Sequence, residues 1–276
     1  MRNKSGKEVL VQTIFIIWAL INLFPVYWMF TFSLKSNEEI FGSNVAGLPK
    51  EWLWSNYSRA LEVGNIGRYF LNSVLVAVVT IVIVMLVSMM ATFALTRMIW
   101  KGRKTMNSFF MLGLTIPIHA SIVPIYTTLS RLHLLNTYMA LIVPYAAFSL
   151  AMGILICTGF MQELPKELDE AACIDGCGTW GIFFRIIVPL MKPAVATVSI
   201  YTFLQCWNEL MFANIFVSDK THKTLPVGIQ ALSGQYMTDW GPIGAALVMA
   251  TFPTLLFYVF FSKKIQESFI AGAVKG

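Results

Sequence analysis

Six stretches of this chain are long and apolar enough to cross a bilayer, and nothing else in the sequence constrains the fold as strongly. They cover about 9–32, 72–95, 108–129, 138–160, 194–217 and 242–261. A helix crossing about 30 Å of hydrocarbon needs roughly 20 such residues. Only the stretch at 194–217 holds a formally charged side chain, Glu209. In lipid each backbone donor and acceptor must be satisfied inside the segment, so these stretches are expected to be helices. A closed barrel would need alternating apolar and polar residues, and that pattern is missing. Charged residues make up 12% of the chain and apolar residues 57%. A soluble domain carries roughly a quarter charged residues, so a soluble globule and a disordered chain are both excluded. The expectation is an all-α integral membrane protein with six transmembrane helices in one domain, 1–276. The first stretch is too long for a cleaved leader and lacks a small-x-small site after it.

The connecting segments carry an asymmetric charge. Of the 20 Lys and Arg residues, thirteen fall before the first stretch, in 97–107, in 161–193 and after the last stretch. The other seven fall in 33–71, 130–137 and 218–241. Positive charge marks the cytoplasmic side, so both termini and the 97–107 and 161–193 loops are expected inside. The net charge of +6 then reads as a topology signal and not as a nucleic-acid footprint. Trp52, Trp54, Tyr57, His133, Tyr236 and Trp240 in the outward segments suit an interfacial aromatic belt. Pro25, Pro117, Pro124, Pro144 and Pro253 fall in the spans, where each can kink a helix.

The 162–193 loop is polar yet patterned, QELPKELDEAACIDGCGTWGIFFRIIVPLMKP. Pro165 suits a first helical turn, and Glu167, Asp169 and Glu170 suit the positive helix end. Leu168, Ala171 and Ala172 lie at helical spacing, and Gly176 fits a terminator. Thr179 can cap a second short helix containing Trp180, Phe183, Phe184 and Ile187. An amphipathic helix projecting from a bundle can dock in a partner's groove or lie along the membrane surface.

Here the residues carry a resemblance. Glu170-Ala171-Ala172, three residues, Gly176, nine residues and Ile186-Ile187-Val188-Pro189 resemble the EAA loop of ABC importer permeases, with Val188 where that family has Leu. Leu135-Asn136-Thr137-Tyr138, Trp207-Asn208-Glu209, Leu225-Pro226-Val227-Gly228 and the Gly272–Gly276 ending resemble the carbohydrate branch, of the maltose-permease G-subunit type. The resemblance implies a MetI-like permease fold with cytoplasmic EAA coupling helices, in a bacterial cell (inner) membrane. It implies a second homologous permease subunit, a cytosolic ATPase dimer using ATP and Mg, and an extracytoplasmic sugar-binding protein. Leu168, Glu170, Ala171, Ala172, Asp175, Gly176 and Pro189 would form the ATPase-coupling element, with di- or oligosaccharides as cargo.

The residues support part of this independently. The chain has no G-x-x-x-x-G-K-[ST] loop, so it is expected not to bind ATP itself; as a permease subunit it is expected to hold no cofactor and no catalytic residue. A carboxylate at membrane depth is a functional hypothesis by default. Glu209, with Trp207 and Asn208, is therefore a candidate for the substrate pathway or for packing, as more weakly are Asn72, Asn22, Tyr126 and Gln205. Indoles stack on sugar rings, while amides and carboxylates bind hydroxyls. Cys173 and Cys177 have no nearby His or further Cys, so no zinc site is expected, and His119, His133 and His222 are scattered. The basic 97–107 stretch is expected to set topology and can also meet anionic membrane lipid. An ion-coupled secondary transporter or channel subunit is the alternative, since Glu209 is an intramembrane carboxylate. A membrane-embedded enzyme would need an acid or His cluster that the sequence lacks.

Overall fold

The computed structural model describes residues 6–233 and 238–273. Arg2, Lys4, Tyr236, Val274, Lys275 and Gly276 lie outside the described residues. The helices are α1 (Gly6–Phe32), α2 (Asn37–Ile40), α3 (Ser55–Glu62), α4 (Ile66–Thr96), α5 (Arg103–Leu112), α6 (Ile122–Arg131) and α7 (Met139–Glu163). They continue with α8 (Glu167–Ile174), α9 (Thr179–Ile182), a π-helical turn at Phe183–Ile187, α10 (Val188–Leu190), α11 (Lys192–Trp207), α12 (Met211–Phe216), α13 (Leu225–Ala231) and α14 (Trp240–Ala273). No strand occurs among the described residues.

Four helices cross a membrane by length and composition as unbroken rods, within Lys7–Phe32, Ile66–Thr96, Met139–Glu163 and Trp240–Phe260. Two bent helix pairs are also long and apolar enough, which gives up to six crossings if each pair is one span. Arg103–Thr115 and His119–Arg131 meet at 91°, and Thr179–Leu190 and Lys192–Trp207 meet at 73°. The straight third span expected at 108–129 is thus broken. Ile116 is extended, at φ −78° and ψ 119°, as a residue before proline prefers. Pro117 then has no N–H to continue the ladder. The fifth span, expected to reach 217, ends as α11 at Trp207, and α12 follows after a turn.

Two compact units contain these elements. The first comprises the residues up to 67 together with 228–252. Within it, no residue of α1 between 7 and 28 is buried. Its polar side chains turn inward on the helix: Thr13 Oγ1 donates to the Val9 carbonyl (2.9 Å) and Asn22 Nδ2 to that of Trp18 (2.7 Å). The C-terminal end of α1 is packed instead. A Cβ on Gly244 would stand 2.5 Å from the Phe32 ring, and one on Gly241 2.4 Å from the Asn56 amide. Lys35, in the 33–71 segment expected outside, is fully buried. Its Nζ donates to the carbonyls of Asn44 (2.7 Å) and Val45 (3.2 Å), which supply the acceptors a buried ammonium requires. Asn56 ties the same turn by donating to the carbonyls of Ser33 and Lys35. Arg59 pairs with Asp239.

The second unit comprises 68–227 and the chain from 253 onward. Here α4 and α7 run in parallel, because partners join both pairs of ends. Tyr138 Oη donates to Asn72 Oδ1 (2.8 Å) at the starts, and Arg97 donates to the carbonyls of Met161 (2.8 Å) and Leu164 (2.7 Å) at the finishes. The 97–107 and 161–193 segments therefore lie on one side, as expected. A core of Val84, Met89, Phe93, Cys157, Met161, Ile187, Met191 and Val198 joins α4, α7 and α11 and extends to Ala172, Ile182 and Phe183 of the loop.

On the opposite side, Asn136 takes the left-handed conformation (φ 63°), which Asn tolerates better than most residues. Its Oδ1 accepts from the amides of Ser218 (2.7 Å) and Asp219 (3.0 Å). This gives the 135–138 motif a structural reason. Nearby, the Asp219 carboxylate accepts from the Thr221 hydroxyl and amide and faces the His222 ring. These hydrogen bonds, led by the hydroxyl's, lower its pKa to about 2.

Candidate functional site: the loop helix and the break in the fifth span

Two places bring the sequence-predicted residues together, both inside the second unit. The first is α8 and the turn after it. The helix begins at Glu167, with Glu167, Asp169 and Glu170 in its first turn, where the helix dipole favours negative charge. It ends at Ile174 with Asp175 as its C-cap, and Gly176 follows at φ +79°. The Gly176 amide donates to the Cys173 carbonyl (3.0 Å) and the Cys177 amide to that of Ala172 (2.9 Å). That pair of bonds is the Schellman termination, which needs a left-handed residue and so favours glycine. Nothing stands within 4 Å of a Cβ placed on Gly176, so backbone conformation alone holds glycine there. Thr179 is not the cap of the next helix. Gly178 occupies that position without a side-chain bond, and Thr179 is the first helical residue.

Burial divides this element into two faces. Ala172 is buried (4% exposed) and joins the core. Leu168, Glu170, Ala171, Ile174, Asp175 and Gly176 are exposed, Ile174 at 86%. Trp180 and Phe184, stacked with centroids 5.9 Å apart, extend the exposed apolar surface, and Pro189 is exposed on α10. Sequence reasoning missed what fixes this helix to the bundle. The Arg97 side chain, 6% exposed, gives its two carbonyl bonds to the end of α7, and its Nη1 lies 3.1 Å from Asp169 Oδ2. One guanidinium thus joins the end of α4, the end of α7 and the first turn of α8. Fork-shaped donors suit arginine to this bridge in a way lysine cannot match.

The second place is the break after α11. From Lys192 the helix of 16 residues rises about 24 Å before the chain breaks at Asn208 and Glu209. The Glu209 carboxylate accepts from the amides of Phe212 (2.8 Å) and Ala213 (3.1 Å) and from the Tyr145 hydroxyl (2.5 Å). It therefore starts α12 by satisfying donors that a helix N-terminus leaves open. Beside it lies a cavity of about 310 Å³. Gln205, Asn208 and Glu209 line the cavity, with His119, Tyr145, Ser149 and the rings of Phe148 and Phe212.

The other pathway candidates are placed elsewhere. Trp207 is 3% exposed, stacked on Phe203 (5.2 Å) and edge-on to Phe70 (5.6 Å). Asn72 donates to the carbonyls of Thr221 and Lys223, fastening the outer loop. Tyr126 is half exposed with its ring 6.2 Å from that of Phe216. Asn22 is exposed on α1, spent on its own helix.

The geometry defines a class: a polytopic helical membrane protein with a polar break inside one span and a rigidly seated, outward-facing loop helix. The chain belongs to the binding-protein-dependent transport system inner membrane component family, whose model matches residues 83–268. It is 39% identical over 260 residues to a putative ABC transporter permease of Caldicellulosiruptor sp. (strain Rt8B.4), covering 94% of each chain. It is 36% identical to the diacetylchitobiose uptake permease NgcG of Streptomyces coelicolor, covering 96% of this chain and 88% of that one. It is 34% identical to the trehalose/maltose permease MalG of Thermococcus litoralis, with both chains fully covered. A crystal structure of a bacterial ABC transporter importing the acidic polysaccharide alginate shares the fold, with TM-score 0.83 and 20% identity over 96% of this chain and 100% of that one. The chain is a multi-pass inner membrane component, a transporter subunit by family.

Proposed function

We propose that this chain is one permease subunit of an ATP-driven sugar importer, cargo di- or oligosaccharide. A second permease completes the pathway, cytosolic ATPases dock from one side and a binding protein delivers from the other. The observation that carries this is the two-faced α8. One face is locked into the bundle through Ala172 and the Arg97–Asp169 pair, and the other offers Leu168, Ala171, Ile174 and the Trp180–Phe184 stack to a partner. An exposed helix face with apolar anchors at helical spacing fits a groove.

The sugar assignment draws on relatives named for diacetylchitobiose and trehalose or maltose. The cavity at Glu209 suits that cargo: amides and hydroxyls bind sugar hydroxyls, and the Phe148 and Phe212 rings offer apolar faces. ATP and Mg act in the partner, and this chain contributes no catalytic group. Closure of the ATPases moves α8, and the rigid seat passes that motion to α4 and α7 as rigid-body rocking.

The test is co-purification and ATP hydrolysis with the neighbouring permease and ATPase, comparing wild type with Glu170→Arg and Gly176→Trp. Loss of ATPase from variants that stay inserted and paired supports the reading. Normal coupling in both variants refutes it and redirects attention to ion-gradient dependence at Glu209.

A further inference from the structure

A second cavity, of about 440 Å³, opens on the side of the loop helix and plays no part in the reading above. Four cations line it, Arg97, Arg103, Lys104 and Lys166, and no Asp or Glu does. Arg97 is already paired with Asp169, and Glu163 and Glu167, neighbours in sequence, lie outside the lining. Among the described residues, Arg103, Lys104 and Lys166 therefore converge with no ion pair of their own.

Two further features add to the positive field. The helix α5 lines the cavity with Arg103 and Lys104 of its first turn and with Asn107 and Ser108 of the next. Its cap residue, Gly102, offers no side chain, and its first turn carries no acid. Helix N-termini ordinarily receive an acid or a polar cap, and here two cations stand in its place. The Thr158 Oγ1, also in the lining, is buried and has no hydrogen-bond partner among the described residues. A buried hydroxyl left unpaired costs free energy that a ligand oxygen would return.

We infer that this cavity is a binding site for a phosphate group, held by Arg103, Lys104 and Lys166 with Thr158 as a hydroxyl donor. Such a group belongs to an anionic phospholipid headgroup or to free phosphate. The lining begins where α4 leaves the membrane, at Leu95 and Thr96, which is the depth of headgroups. The site adjoins Arg97 and Lys166, so occupation would add stiffness at the root of α8. The inference does not depend on which sugar is carried.

The test uses the intact importer complex, delipidated in detergent, with phosphatidylglycerol, phosphatidylcholine or inorganic phosphate as probes. Retention of each lipid is read by native mass spectrometry, and phosphate binding by the shift in thermal midpoint. Wild type is compared with Lys104→Gln/Lys166→Gln and with Lys101→Gln, a neighbouring cation outside the lining. Removing two cations is expected to weaken the interaction about tenfold or more. Selective phosphatidylglycerol retention, lost in the double variant and kept in Lys101→Gln, assigns the site to lipid. Equal lipid retention, with a phosphate-induced shift confined to wild type and Lys101→Gln, assigns it to free phosphate. A wild type that discriminates neither probe, or a double variant that matches wild type, overturns the inference.

Discussion

Replacing Arg97 by Met keeps most of the apolar stem and deletes the fork that holds α8. The variant loses two charge-assisted bonds, at 2.8 and 2.7 Å, and strands the Asp169 carboxylate, whose side chain is 20% exposed. Breaking a buried pair from one side costs about 3–5 kcal/mol. Partial exposure of Asp169 places this case near the lower bound, about 3 kcal/mol. Because α8 retains its own helix bonds and its Ala172 anchor, the loss falls on local opening and not on global unfolding. Three kcal/mol is roughly a hundredfold rise in the opening equilibrium. Amide hydrogen exchange across 166–177, in the complex reconstituted in nanodiscs, should accelerate by about that factor. Exchange in α1 should not change. The double variant Arg97→Met/Asp169→Asn should recover part of the protection, since the stranded charge is gone. The same variants should waste ATP, with transport falling more than hydrolysis. Unchanged exchange at 166–177 in Arg97→Met, or strict additivity in the double variant, would refute the bridge.

Glu209→Ala should remove three accepted bonds at once and lower stability by about 3 kcal/mol, while Tyr145→Phe removes one and costs about 1 kcal/mol, read as thermal midpoints of the complex. Gly176→Ala should cost about 1 kcal/mol through its positive φ, with no clash, and Gly176→Asn less, measured by exchange at the Cys177 amide. For Asp219 the folded pKa of about 2 lies below the ordinary 3.8, so its stabilising contribution is complete above about pH 4 and disappears as pH falls through 2. A carboxyl-carbon NMR titration should show the low midpoint, and Thr221→Val should move it back toward 3.8 by removing the hydroxyl donor.

How much of this was legible from residues alone depended on how local the cause is. The four unbroken spans follow from a rule that acts within each segment, namely that lipid leaves the backbone only itself to bond with. The Gly176 terminator was equally readable, because a Schellman turn is specified by one residue and its neighbours. Hydropathy failed at 116–118 and 207–210, since averaging over a window hides a pair such as Ile116-Pro117 or Asn208-Glu209. Trp207, Asn208 and Glu209 were read as one group, but Trp207 is the last residue of α11 and the other two lie in the break after it. Trp207 therefore enters the aromatic core, while Gln205 and Asn208 reach the cavity. The burial of Lys35 was not legible, because sequence shows its charge and not the carbonyls that receive it. The Arg97–Asp169 pair was out of reach for the same reason, its partners being distant in the chain and joined only by the parallel packing of α4 and α7.

The outward apolar surface of α1 bears on how the protein is made. Every residue of the helix between 7 and 28 is exposed, and Thr13 and Asn22 are satisfied without leaving it. Such a segment can partition from the translocon into lipid as soon as it is synthesised, before any later helix exists. It can then wait there as an anchor while the rest of the subunit folds. The quality-control corollary is that an unassembled copy shows surveillance proteases nothing amiss in α1. Orphan recognition would then have to read Ile174, Trp180 and Phe184, which stand exposed on the 161–193 loop and which the proposed partner would cover.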